Sequence, residues 1–179
     1  MEPFQTWLVR LLERDDPIEL FMRTAWGWPI MESLHFVGLS LLVGAIGVFD
    51  LRLLGIGKRI PFAAARRLVP FGLAGFAMSI LTGATFLMTE PNQYIYNPAF
   101  LLKVLFMAIA GVNAGLFALS PFGRRLEGSG PQAPRSARVI AVVSLTLWVA
   151  VIASGRLITF YRPADCPHGE KYLIATCIP

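Results

Sequence analysis

Histidine and cysteine are scarce in this chain, two of each in 179 residues. Cys166, His168 and Cys177 all fall in the C-terminal tail, so His35 is the only histidine inside an apolar stretch and ligation by two histidines within one chain is excluded. No serine, histidine and acid arrangement, no glycine-rich phosphate loop and no pair of acids within the apolar stretches is present. Hydrolase, ATPase and kinase chemistry and carboxylate proton shuttling are therefore disfavoured, while redox chemistry and ligand binding stay open. Alternation of apolar and polar residues, the mark of a barrel strand, is missing too. The first apolar run starts after a charged N-terminal stretch with no small-residue cleavage site, so no removable signal peptide is expected.

What the chain has is apolar length. Hydrophobic residues make up 55% and the mean hydropathy is +0.61, too apolar for an ordinary soluble domain. Four runs, 28–49, 68–88, 100–120 and 139–160, carry the excess, each about the 20 residues a bilayer core requires of a helix. Backbone groups in lipid must be satisfied within the segment, so the runs are expected to be helices. The predicted fold is all-α: a four-helix transmembrane bundle over 28–162, preceded by an amphipathic interfacial region over 1–27 and followed by a tail over 163–179.

Basic residues set the expected orientation. Arg52, Lys58, Arg59, Arg66 and Arg67 occupy the first connection and Arg124, Arg125, Arg135 and Arg138 the third, while the second, 89–97, has none. The positive-inside rule then places the first and third connections in the cytoplasm and both termini outside, in a bacterial inner membrane. The net charge of +5 is accounted for by topology and gives no reason to expect nucleic acid as a partner; the expected surroundings are the lipid bilayer. Trp26, Trp28, Tyr94, Tyr96, Phe160 and Tyr161 would form an aromatic belt on the outer side.

The flanking segments carry their own patterns. Phe4, Trp7, Leu8, Leu11 and Leu12 recur at the spacing of one helical face, opposite Gln5, Arg10, Glu13 and Arg14, which describes a helix lying in the membrane surface or docking on a partner subunit. Asp16 followed by Pro17 reads as a cap and first turn of a second short helix. In an oxidising compartment Cys166 and Cys177 are most simply a disulfide; the competing reading is a metal site with His168, which lacks a fourth ligand. Small residues stripe the spans at Gly38, Gly44 and Gly47, at Gly72, Gly75, Ser79 and Gly83, and at Gly111, Ala114 and Gly115, where helix backbones can approach closely. Thr82-Gly83 and Ser154-Gly155 also hint at a two-by-two repeat.

Ionisable residues within the spans are the candidate functional groups, because charge in hydrocarbon is costly. His35 lies about seven residues below Trp28 and Lys103 about five below Pro98, or roughly 8 to 10 Å at 1.5 Å per residue. Arg156 precedes Phe160 and Tyr161 by a similar interval. Glu32 sits one turn outward from His35, Met107 one turn inward from Lys103, and Thr82 and Thr85 offer hydroxyls. Snorkelling of Lys103 and Arg156, a Glu32 salt bridge and a structural histidine account for each residue singly. Taken together they suit b-type haem, with His35 as axial ligand, Met107 as its second ligand and Lys103 and Arg156 on the propionates; a homodimer sharing His35 from both chains would supply two histidines. They suit equally a quinone or other lipid-soluble anion or carbonyl compound. Asp50 and Arg52, with Arg59, Arg66 and Arg67, are expected to form a polar cytoplasmic rim, an ion-paired helix end at the inner end of the first helix.

Glu32-Ser-Leu-His35-Phe-Val-Gly38, Asp50-Leu-Arg52, Asn97-Pro98-Ala-Phe-Leu-Leu-Lys103 and Ser154-Gly155-Arg156, in this order, resemble an uncharacterised bacterial family of four-helix inner-membrane proteins, a domain of unknown function. The resemblance covers nearly the whole chain and implies fold and location without an activity. It also implies a histidine at the inner end of the third helix after the Asn-Ala pair, where this chain has Gly115-Leu-Phe-Ala-Leu-Ser120 instead. The expected function is redox-associated or small-ligand binding, haem or quinone, in the outer half of the bundle. The alternative is an accessory subunit of a membrane complex with no chemistry of its own.

Overall fold

The computed structural model describes residues 2–12, 17–124 and 133–161. Among these the chain is helical without a strand: α1 Glu2–Leu12, α2 Pro17–Met22, α3 Gly27–Leu53, α4 Phe62–Arg66, α5 Val69–Thr89, α6 Pro91–Ile95, α7 Pro98–Leu119, α8 Pro121–Arg124 and α9 Arg135–Leu157. Four helices are long and apolar enough to cross a membrane: α3, α5 together with α4, α7 and α9. Leu81, Val112, Leu116 and Val149 point outward at 60% exposure or more, whereas the interior holds glycine, alanine, serine, threonine and asparagine. Large apolar side chains outside and small or polar ones inside are what a lipid solvent selects.

Proline and polar caps set several helix starts. Pro70, Pro91 and Pro98 stand in the first turns of α5, α6 and α7, where a missing N–H costs nothing. α9 starts after the extended Pro134, four residues before the apolar run begins. The 89–97 connection, expected as a loop, contains the short α6. Asn97 accepts hydrogen bonds from Ala99 N and Phe100 N at 3.0 and 3.4 Å. Its amide nitrogen donates to Ile158 O at 2.9 Å, tying the start of α7 to the end of α9. Asn113 does the same deeper in the bundle, donating to Ile140 O at 3.0 Å.

Helices α3 and α5 pack by a different device. A Cβ on Gly75 would lie 2.5 Å from Gly38 O and 2.7 Å from Leu42 N, and one on Gly38 would lie 2.8 Å from Gly75 O. Only glycine at both positions admits this approach. The small-residue stripe therefore packs helices at Gly38, Gly72 and Gly75, but Gly44, Gly47, Gly111 and Gly115 have nothing within 4 Å of an added Cβ; α7 reaches α9 through its Ala110 and Asn113 face instead. The α3/α5 and α7/α9 pairs join chiefly through α3 against α9.

At the inner end Phe49, Leu53, Phe62, Ala65, Ala133, Ala137 and Ala141 form one core cluster. The ion-paired helix end is not found among the described residues: Asp50 makes no salt bridge with Arg52, Arg59, Arg66 or Arg67, and Asp50 and Arg52, two apart, point to opposite sides of the helix. Arg52, 3% exposed, donates to Ile60 O at 2.5 Å and lies over the Phe62 ring, 3.9 Å from its centroid. Asp50 instead turns inward to hydrogen-bond Ser144 of α9. The N-terminal arm is helical in two pieces, α1 and α2. α1 keeps Phe4, Trp7 and Leu11 exposed and buries Val9, while Gln5 donates to Ile95 O at 3.5 Å and Thr6 approaches the Tyr96 hydroxyl at 3.4 Å. Asp16, Cys166, His168 and Cys177 lie outside the described residues, so the expected cap, disulfide and metal alternative do too.

Gly75→Ala should destabilise the protein by about 1–3 kcal/mol, the usual cost of overpacking a close contact, whereas Gly111→Ala should stay within about 0.5 kcal/mol, as for substitutions away from packed features. Unfolding of both variants in one detergent, measured side by side, checks the contrast.

Candidate functional site

Between the two helix pairs a cleft opens in the half of the bundle that holds Trp28 and Tyr94. It has two adjoining chambers, of about 230 Å³ and about 320 Å³. His35, Leu39, Gly83, Phe100, Lys103 and Val151 line both. The inner chamber is almost wholly apolar, walled by Phe76, Met107 and Trp148 among others. The outer one adds the polar side chains of Glu32, Gln93, Tyr94, Arg156 and Thr159. All five residues singled out in the spans, Glu32, His35, Lys103, Met107 and Arg156, thus line one cleft, with Met107 in its inner part and Glu32 and Arg156 in its outer part. Gln93, Tyr94, Phe100 and Trp148 were not singled out as site residues; the short helix α6, which brings the first two to the mouth, has no signature beyond Pro91.

His35 is oriented by α5. Its Nδ1 lies 2.8 Å from Thr82 Oγ1, and that hydroxyl points its single hydrogen back at Met78 O, 2.8 Å away. With its hydrogen on Met78 O the hydroxyl is an acceptor toward the ring, and this network assigns the imidazole proton to Nδ1. In the uncharged ring the lone pair then falls on Nε2, which is left to accept a hydrogen bond or bind a metal. The ring meets Phe86 edge-on at 5.8 Å, and Phe86 in turn packs on Trp28 at 5.0 Å. Gly83 supplies the space beside it: a Cβ there would sit 3.6 Å from His35 Cε1. Thr85, whose hydroxyl donates to Thr82 O at 2.7 Å, takes no part in the cleft lining.

Lys103 is placed by α9. Its Nζ lies 3.6 Å from where a Gly155 Cβ would be, so this glycine lets the ammonium lie flat against the helix. Among the described residues the one salt bridge joins Arg23 and Glu19 at 2.5 Å. Glu32 accordingly pairs with neither Lys103 nor Arg156, contrary to the simplest account of a polar cluster as a buried ion pair. The cleft therefore holds two cations and one carboxylate without mutual neutralisation. No group of three or more histidine, cysteine, aspartate or glutamate side chains gathers among the described residues.

The tautomer is directly measurable. In ¹⁵N-histidine-labelled protein at alkaline pH, His35 should show a protonated Nδ1 and a bare Nε2. Thr82→Val should convert this to a mixture, because the acceptor that selects one tautomer is removed.

A family model matches residues 26–161, a span that takes in the four long helices and every residue of the cleft. No curated protein and no solved structure matches the chain. The uncharacterised character expected from the ordered motifs is thereby met, and the chain belongs to a family of unknown function (DUF6644).

Proposed function

We propose that the protein binds a lipid-soluble, single-ring oxygen compound of the quinone class in the cleft between its helix pairs, in a redox-associated role. The observation that carries this reading is the pairing of an apolar chamber with a fixed acceptor, His35 Nε2, and an unneutralised donor, Lys103 Nζ, on its wall. A ring would occupy the space among Phe76, Met107 and Trp148, and its oxygens would meet His35 and Lys103. Ligand sites generally combine such walls with a few placed polar groups.

The part of the cleft that His35 shares with Met107, about 230 Å³, takes a single ring, and the adjoining polar chamber of about 320 Å³ leaves room for its substituents. An accessory subunit without chemistry would have no use for a cation and a carboxylate held apart in one cleft. The cleft half of the bundle is assigned to the outer leaflet, since the nine basic residues of the first and third connections hold the opposite end in the cytoplasm. Phe4, Trp7 and Leu11 of α1 then lie in the outer interface.

Two measurements test the reading. Trp148 in the chamber wall is a built-in reporter, so a short-chain ubiquinol analogue, whose hydroxyl can donate to His35 Nε2, should change its fluorescence in the purified protein and the change should be mostly lost in Trp148→Phe. His35→Ala should weaken binding about tenfold, the equivalent of one hydrogen bond of about 1.4 kcal/mol. A Soret band that disappears in His35→Ala would overturn the assignment in favour of haem. For the orientation, with Cys166 and Cys177 replaced by serine, a cysteine at Asn92 should react with a membrane-impermeant maleimide in intact cells and one at Lys58 should not.

A further inference from the structure

The two helix pairs are built on one plan. Shifting α3 by 68 residues sets His35 on Lys103, Leu42 on Ala110 and Ala45 on Asn113; shifting α5 by 72 sets Gly72 on Ser144, Ser79 on Val151, Thr82 on Ser154 and Gly83 on Gly155. Burial agrees at every one of these pairs: both members are half-buried for His35 with Lys103 and Gly83 with Gly155, and both are buried for the others. The hydroxyls agree as well, since Thr82 donates back to Met78 O and Ser154 to Ala150 O, each four residues earlier. In each pair the ionisable side chain of the first helix lies against the glycine of the second, His35 on Gly83 and Lys103 on Gly155. His35 and Lys103 are thus equivalent positions of two repeats, and both line both chambers of the cleft.

Their chemistry is complementary rather than equivalent. His35 has its proton turned to Thr82 and offers the cleft an acceptor; an ammonium has three donors and no acceptor. A ligand with carbonyl oxygens alone satisfies Lys103 and leaves two lone pairs facing each other at His35. A neutral phenol satisfies His35 and leaves the intramembrane cation without a counter-charge, which is expensive in hydrocarbon. Both are satisfied by a ring with a hydroxyl at one end and an anionic oxygen at the other.

Resting on the quinone-class reading above, we infer that the ligand is a monoanionic hydroxyarene held between the two repeats, its hydroxyl donating to His35 Nε2 and its anionic oxygen accepting from Lys103 Nζ. A singly deprotonated quinol and a para-hydroxyaryl acid share this chemistry. Gly83 and Gly155 are the openings that let the two side chains face the ring, and Arg156 adds positive charge on the outer side.

Titration of the purified full-length protein, followed by Trp148 fluorescence, separates the possibilities with 4-hydroxybenzoate, benzoate, phenol, hydroquinone and tetramethylbenzoquinone as probes. The hydroxybenzoate should bind at least tenfold more tightly than benzoate, which lacks the donor, and than phenol, which lacks the charge. His35→Ala should erase the first preference and spare the second; Lys103→Met should do the reverse, and Lys103→Arg should retain both. Tighter binding of hydroquinone than of hydroxybenzoate, with one proton released per quinol bound, identifies the quinol as the source; the opposite order identifies the aryl acid, and tighter binding of hydroquinone without proton release overturns the anion. Equal or tighter binding of tetramethylbenzoquinone, or loss of both preferences in either single variant, overturns the inference while leaving the cleft a ligand site. Failure of every probe to bind removes the ligand site together with the inference.

Discussion

The close approach of α3 to α5 at Gly38 and Gly75 is the contact on which the site depends. With carbonyl oxygens and Cα atoms this near, the two helices cannot slide or rotate without steric clash, and their relative register is fixed. One turn outward from the crossing, that register brings His35 opposite Thr82. The imidazole is held at 2.8 Å by a hydroxyl that is itself anchored to its own backbone. A chain of three hydrogen-bonding groups thus turns a packing contact into a defined protonation pattern, with the acceptor nitrogen facing the cleft.

The second pair reaches the same end by other means. It lacks a glycine crossing and is held by buried amides, Asn97 on Ile158 O and Asn113 on Ile140 O. Asparagine is an effective tie in lipid because its alternative is an unsatisfied amide in hydrocarbon. Asn97 is fully buried at 0% exposure and serves two helices at once, capping α7 while gripping the C-terminal end of α9. Lys103 begins its placement from that cap. Lys103, Arg156 and Glu32 have no ion-pair partner among the described residues, and all three line the cleft.

The spans and the cluster were legible from sequence because both rest on strong one-dimensional signals. Twenty apolar residues in a row leave little choice of structure, and depth follows from counting residues to Trp28, Pro98 and Phe160. The helix face is a weaker signal where small residues abound. Gly44, Gly47, Gly111 and Gly115 have the composition of a packing stripe, yet they face outward, because a glycine is compatible with close approach without compelling it. The charged rim at the inner end of α3 is a similar case: one acid among several arginines suggests an ion-paired helix end, but Asp50 turns to Ser144 and Arg52 to Ile60 O. The docking of α1 on α6 through Gln5 and Thr6 is a tertiary contact across 90 residues, with no local pattern to announce it.

The repeat was faintly visible as Thr82-Gly83 and Ser154-Gly155, and burial turns that hint into a register. Duplication of a helix pair gives two equivalent walls, and two identical walls would present the ligand with the same group twice. Here the hydroxyl and glycine positions are preserved while the ionisable position differs, histidine in one wall and lysine in the other. Keeping the frame and changing one residue converts a symmetric cleft into a polar one, with an acceptor facing a donor across the same apolar chamber. The direction of that polarity is set by Thr82: were its proton free to rotate toward His35, the imidazole could present an N–H to the cleft, and both walls would offer donors. The bond from Thr82 to Met78 O opposes this, so a hydroxyl that does not line the cleft biases which group His35 presents to it.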